Sequence, residues 1–271
     1  MLTDRIEAKW IDAFVRVFEL CQVAPGEACA ILSETQSRQS NVELAELALL
    51  RLGARPFHLR LATPPQSAPK AFRSTGASAA LQSLGPAVGA LAASGFVVDC
   101  TVEGLLHAPE LPGILAGGAR VLMVSNEHPD ALERLVPGPA LEPRVRIGMQ
   151  MMKAARRMQV TSDAGTQLVV SLAGARDGSS WGYTTTPGTI AHWPGGFCLC
   201  FPAPASVNGL LVLAPGEDGD LAATWARKEA ILKARGTGLA TPMAAVVLAA
   251  ETWWDLPAPE GYVAALALTS E

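Results

Sequence analysis

Four histidines, His58, His107, His128 and His192, are the side chains of this chain best suited to proton transfer near neutral pH, because a free imidazole titrates at about 6.5. His107 lies just beyond the predicted strand end Val98-Asp-Cys-Thr101, where open α/β sheets gather their ligands. His192 sits in Ile190-Ala-His-Trp-Pro-Gly-Gly-Phe197, a Gly/Pro-rich stretch that holds a side chain on an irregular backbone. This pair reads as the acid–base centre. His58, between Phe57 and Leu59, reads as a packed or edge strand histidine, and His128, in Asn126-Glu-His-Pro-Asp130, as strand-end turn material that suits a ligand contact. The pattern Gly178-Ser-Ser-Trp-Gly182 has the spacing of a nucleophile elbow but lacks its context. Turn residues come after it, and no acid separates Ser180 from His192, so a serine hydrolase is not expected.

The elements that must position these residues emerge from periodicity. Ile6, Trp10, Ile11, Phe14, Val15 and Phe18 recur at helical spacing over Asp4–Leu20. Short apolar runs at Glu27–Leu32, Pro56–Leu61, Phe96–Thr101 and Ala119–Ser125 read as buried strands, alternating with helical segments. One of those helices opens at Ser40-Asn-Val-Glu43, a capping-box pattern. The Pro/Ser/Ala-rich stretch Ala62–Ser78 reads as a long loop or lid. Val145–Met158 reads as a helix, and 159–214 turns to Gly, Pro, Thr and short β-like runs. The fold expected is therefore α/β: a Rossmann-like, mostly parallel sheet domain over 1–140, then a β-rich α+β region over 141–271 with a short divergent tail. No Gly-x-Gly-x-x-Gly turn succeeds a strand, so no dinucleotide site is expected.

Bulk properties exclude other classes. A net charge of −4 gives no electrostatic footprint for nucleic acid. No apolar run approaches the roughly 20 residues of a membrane span, and the charged N-terminal stretch does not read as a signal peptide. Five cysteines, an odd number set among apolar neighbours, read as reduced core thiols and so as a cytoplasmic protein. Cys198 and Cys200 have no second pair with which to hold zinc.

Several segments together resemble the family of 2,5-dihydroxypyridine 5,6-dioxygenase, related to the aminopeptidase T group. They are Val97-Val-Asp-Cys-Thr101, Leu105-Leu-His-Ala-Pro-Glu110, Ala119-Arg-Val-Leu-Met123, Glu127-His-Pro-Asp130, Leu135-Val-Pro137, Ser162-Asp-Ala-Gly165, Trp181-Gly-Tyr183, Pro187-Gly188 and His192-Trp-Pro-Gly-Gly-Phe197. The resemblance runs over roughly residues 10–215. It implies an N-terminal α/β domain, a C-terminal β-rich metal domain, and an Fe(II) held by two histidines and a carboxylate to open a hydroxylated pyridine ring. It also implies that His107 and His192 face the substrate. Glu103, Leu106, Glu127, His128, Tyr183, Trp193 and Phe197, in or beside these segments, are the expected substrate contacts.

The family's iron ligands lie beyond the matched region, and after Asp220 this sequence has no histidine. The expectation is accordingly an enzyme without a recognisable metal or other cofactor. It would act on a small aromatic or ring-derived acid by hydrolysis, isomerisation or elimination through His107 and His192, with Arg144 or Arg176 on a substrate carboxylate. Two alternatives stand beside it. One is an iron-dependent dioxygenase completed by a partner subunit or a rearranged site, such as His107 and His192 with Glu103 or Asp99. The other is a non-catalytic binding or assembly protein, in which Trp225, Trp253 and Trp254 form a homo-oligomer interface.

Overall fold

The computed structural model describes residues 5–65, 76–161, 167–201, 207–210, 224, 226–228, 230–231, 246–256 and 264–268. Residues 66–75 of the expected lid, the Ser162-Asp-Ala-Gly165 segment and Trp225 lie outside them. In chain order the elements run α1 (Ala8–Leu20), β1 (Ala28–Glu34), α2 (Gln39–Arg51), β2 (Arg55–Leu61), α3 (Gly85–Ala92), β3 (Phe96–Asp99), α4 (Leu111–Ala116), β4 (Arg120–Val124), α5 (Pro129–Arg134) and α6 (Leu141–Ala154). Next are β5 (Arg157–Thr161), β6 (Gln167–Ser171), β7 (Arg176–Ser180), β8 (Ile190–Trp193), β9 (Phe197–Phe201) and β10 (Val207–Leu210). Last come β11 (Thr252–Leu256) and β12 (Ala264–Leu268).

Contacts divide the chain into two units, Met1–Ala154 with Asp177–Cys200, and Ala155–Arg176 with Phe201–Glu271. The first unit holds a five-stranded, all-parallel sheet in the order β2-β1-β3-β4-β8. The α/β expectation holds. Strands covered on both faces read as continuous apolar runs, as Ala30–Leu32 and Val121–Val124 do. Alternation sends Cys29, Ile31, Phe96, Val98, Leu122, Val124, Ala191 and Trp193 into one core layer with α1 and α2. It sends Ala30, Leu32, Val97 and Val121 into a second layer with Leu91 of α3 and Ile114 of α4.

Two local expectations give way to tertiary structure. α2 starts at Gln39 with Arg38 at its N-cap and no side-chain cap, and Ser40 Oγ is buried without a hydrogen-bond partner among the described residues, so the Ser40–Glu43 capping box does not form. Neighbouring Asn41 instead sends Nδ2 to the carbonyls of Ser125 (3.2 Å) and Glu127 (3.0 Å), tying the helix start to the end of β4. The helix expected to run to Met158 stops at Ala154, because Arg157–Thr161 pairs antiparallel with Gln167–Ser171. A ladder partner outside the helix overrides local helical preference.

The second unit carries the antiparallel sheet β10-β6-β5 and the antiparallel pair β11-β12. Its small core is Ile231, Val246, Leu248 and Ala267 with Trp253 against it. Trp253 donates Nε1–H to the Leu248 carbonyl at 3.1 Å, while Trp254 is exposed. No helix among the described residues is long and apolar enough to cross a membrane.

Candidate functional site

The direction of strand addition reverses between β1 and β3, and in open α/β sheets ligands bind outside the carboxyl ends of the strands at such a point. Glu34 and Asp99 end these two strands, and both are buried. Asp99 organises the loop that leaves β3. Its Oδ1 accepts from the Thr101 N–H (3.0 Å) and hydroxyl (2.7 Å), and its Oδ2 accepts from the Leu105 N–H (2.7 Å). One carboxylate therefore folds residues 99–105 into a tight loop. Gly104 takes φ +79°, a left-handed conformation that favours glycine, and a Cβ there would displace the Met123 side chain of β4 on which the loop rests. Burial pushes the Asp99 carboxyl up to about 6, against the lowering effect of its hydrogen bonds from Thr101 and Leu105 and with a small upward push from Glu34.

Residues 76–78 hold the loop from its other side. Gly76 N–H donates to the Glu103 carbonyl (2.6 Å), Ser78 N–H donates to that of Gly104 (2.8 Å), and His107 N–H donates to that of Gly76. Ser78 Oγ donates to Glu34 Oε1 at 2.8 Å, and Glu34 Oε2 is buried without a hydrogen-bond partner among the described residues. Pinned on both sides, the loop presents Leu106 and His107 as exposed side chains.

His192 is reached through β8. Its neighbours Ala191 and Trp193 join the α1–α2 core layer, Trp193 from the end of the strand. The register Leu32–Asp99–Met123–His192 forms one row across the sheet. With neighbouring strands about 4.8 Å apart, His192 stands two strands from Asp99, with Met123, the seat of Gly104, between them. No hydrogen bond or ring contact joins His107 to His192 among the described residues; the fold sets them at the same end of one sheet.

The chemistry of His192 is better defined. Nδ1 lies 2.8 Å from the Pro194 carbonyl oxygen, which can only accept. Nδ1 therefore carries the proton in the neutral ring, and Nε2 keeps a bare lone pair. Burial pushes the imidazole pKa down, against the raising effect of the Pro194 hydrogen bond, and so favours the neutral ring. As pH falls below the ordinary value of 6.5, the unfolded chain takes up a proton that folded His192 resists, so this residue lowers stability on acidification. Phe197 meets the ring edge-on, with centroids 6.0 Å apart.

The other expected contacts scatter. Glu103 is buried in the Asp99 loop. Glu127 is exposed, with its carbonyl held by Asn41. His128 caps α5, its Nδ1 accepting the Asp130 N–H at 3.2 Å, and it packs edge-on against Trp10 on the α1 side. Trp193 is fully buried in the α1–α2 layer and donates Nε1–H to the Leu135 carbonyl at 3.0 Å. Tyr183 joins that layer too, donating its hydroxyl to Glu142 at 3.1 Å. It lines a cleft of about 360 Å³ with Glu142, Arg146, Ser180, Trp181 and Thr184, which neither His107 nor His192 lines. Arg144 and Arg176 are exposed. Asp99, expected only as a possible metal ligand, and Ser180, weighed only as a nucleophile, instead bind backbone groups of these loops; Asp99-x-Thr101 is the spacing of an Asx turn and is the available signal for the first.

The fold and this edge define a doubly wound α/β protein whose sheet gathers its loops at the carboxyl ends of the strands. Within that class the chain belongs to the 2,5-dihydroxypyridine 5,6-dioxygenase family, whose model matches residues 9–230. The 2,5-dihydroxypyridine 5,6-dioxygenase of Pseudomonas putida strain KT2440 is 32% identical over 215 residues, covering 78% of this chain and 60% of the relative. The solved structure of the 2,5-dihydroxypyridine dioxygenase from Pseudomonas putida KT2440 is similar with a TM-score of 0.68 and 30% identity, over 76% of this chain and 60% of that one. The chain thus spans about 60% of the length of the relatives it matches. These similarities carry the dioxygenase side of the resemblance and say nothing of its aminopeptidase T side.

Membership overturns the expectation of a protein without a cofactor, because dioxygenases of this kind are typically iron-dependent. The described residues do not fit that iron. Among them no three His, Cys, Asp or Glu side chains converge as metal ligands, and the four histidines of the chain are all described. His58 Nε2 lies 3.4 Å from Glu46, His128 is a helix cap, and His107 and His192 share no carboxylate between them. The rearranged set of His107 and His192 with Glu103 or Asp99 is not assembled, and both Asp99 oxygens already serve the loop.

Proposed function

We propose that this chain recognises a small hydroxylated nitrogen heteroaromatic ring, of the dihydroxypyridine class named for its relatives, and serves its oxygen-dependent cleavage. The observation that carries the reading is His192: a half-buried imidazole with Nδ1 committed to Pro194 and Nε2 left as an acceptor, its neutral form favoured by burial, at the same end of the sheet as the His107 loop. A ring hydroxyl donates to such a nitrogen, and as the hydroxyl loses its proton the imidazole takes it up. Phe197 offers an aromatic edge beside the imidazole, and Leu106 and His107 are exposed on the loop that follows β3. Iron is the cofactor the family implies; the part assigned to this chain's own residues is to bind the ring and take its proton.

Calorimetric titration with 2,5-dihydroxypyridine under nitrogen tests the reading. Wild-type protein is expected to bind one ring per chain, and His192→Ala to weaken binding about tenfold, the ~1.4 kcal/mol of one hydrogen bond. The unfolding midpoint should stay close to wild type. Absence of saturable binding, or equal affinity in the variant, overturns the proposal.

A further inference from the structure

The serine of the Gly178-x-Ser180-x-Gly182 pattern is not placed as a nucleophile. Its Oγ accepts the His192 N–H at 3.1 Å, donates to the His192 carbonyl at 2.9 Å and accepts the Gly182 N–H at 3.2 Å. One proton and two lone pairs are all engaged. β8 is the last strand of its sheet, and this hydroxyl serves the two backbone groups of His192 that a further strand would serve. The Ser180 carbonyl in turn accepts the Gly196 N–H at 2.7 Å, so Ser180 grips both ends of the turn 192–196. Between those ends the backbones meet closely: any Cβ on Gly195 would collide with the backbone of Trp181 and Gly182. The turn so held includes the Pro194 carbonyl that fixes the His192 ring.

We propose that Ser180 is the positioning residue of His192: by clamping the backbone of residues 192–196 it keeps the Pro194 carbonyl on Nδ1 and so holds the imidazole in the tautomer with Nε2 bare. The consequence for ring binding rests on the function proposed above, whereas the tautomer does not, so the two are measured separately.

Long-range 1H–15N correlation of 15N-histidine-labelled protein reads the tautomer directly. Wild type should give a single Nδ1-protonated pattern for His192. Ser180→Ala should show both tautomers in exchange, and Ser180→Thr, which keeps the hydroxyl, should restore the wild-type pattern. An unchanged His192 pattern in Ser180→Ala overturns the inference. Should that variant not fold, Ser180→Cys, similar in shape but a weaker hydrogen-bonding partner, is read the same way. Affinity for 2,5-dihydroxypyridine should fall on the order of tenfold in Ser180→Ala and recover in Ser180→Thr. If wild type binds no ring, the functional reading fails while the tautomer still decides the role of Ser180.

Discussion

Asp99→Ala should destabilise the first unit by about 4 kcal/mol, because it strips the acceptor from two buried backbone N–H groups, each costing about 1–3 kcal/mol when left unpaired. Those groups belong to Thr101 and Leu105, and neither residue has access to solvent that could take the place of the carboxylate. Asp99→Asn should cost less, since its oxygen can still serve Thr101 while its amide faces the Leu105 N–H, donor against donor. The two variants also separate charge from hydrogen bonding. Folded Asp99 holds its proton up to about 6, whereas the ordinary value is 3.8. Across that interval the folded state binds more protons than the unfolded chain, so this carboxyl makes stability fall as pH rises, with its effect complete above about 6. Urea midpoints between pH 4 and 7 should show that contribution in wild type and lose it in Asp99→Asn. Equal midpoints for wild type and Asp99→Ala contradict this role for the carboxylate.

Arg120→Ala should cost about 3–5 kcal/mol, the usual effect of removing one member of a buried ion pair. Arg120 opens β4 at the amino end of the sheet, is buried, and sends its guanidinium to the Cys21 carbonyl and the Glu27 carboxylate. Glu27 Oε2 meanwhile accepts the Ala24 N–H at 3.0 Å, so the pair ties the α1–β1 connection to β4. The loss of Arg120 leaves a shielded carboxylate without its cation. A double-mutant cycle with Glu27→Gln checks the cause: the double variant should be more stable than the sum of the single losses predicts. Strict additivity means the two side chains do not act as a pair. This lock lies at the opposite end of the sheet from His107, so Arg120→Ala should lower stability without a matching loss of ring affinity in the folded fraction.

Much of the scaffold is legible in the sequence because its causes are local. Amphipathic spacing from Trp10 to Phe18, Pro86 at the start of α3, and the apolar runs of β1, β3 and β4 each act within one element. The features that resist reading depend on partners far away in sequence. Ser40 has the pattern of a cap, but Asn41, pulled onto Ser125 and Glu127, fixes where the helix begins. His128 has the setting of a ligand contact, yet His128-Pro-Asp130 is an N-cap succeeded by a proline at the first helical position, and the cap uses its ring. Trp193 and His192 are adjacent, but only the folded chain shows that Trp193 enters the core while His192 stays beside Phe197 at the sheet edge. Ser180 reaches a backbone 12 residues away, which no local pattern encodes. The cofactor expectation fails for a different reason: histidine positions and a missing downstream imidazole speak only of ligands in this stretch of chain, whereas family membership speaks of the oxygen chemistry.

The most direct test of ring recognition is the 15N spectrum of the four histidines as 2,5-dihydroxypyridine is added under nitrogen. The His192 Nε2 resonance should move on binding as it accepts the ring hydroxyl, while the rings of His58 and His128 stay where they are. Saturable binding that leaves His192 unmoved would contradict recognition through that nitrogen.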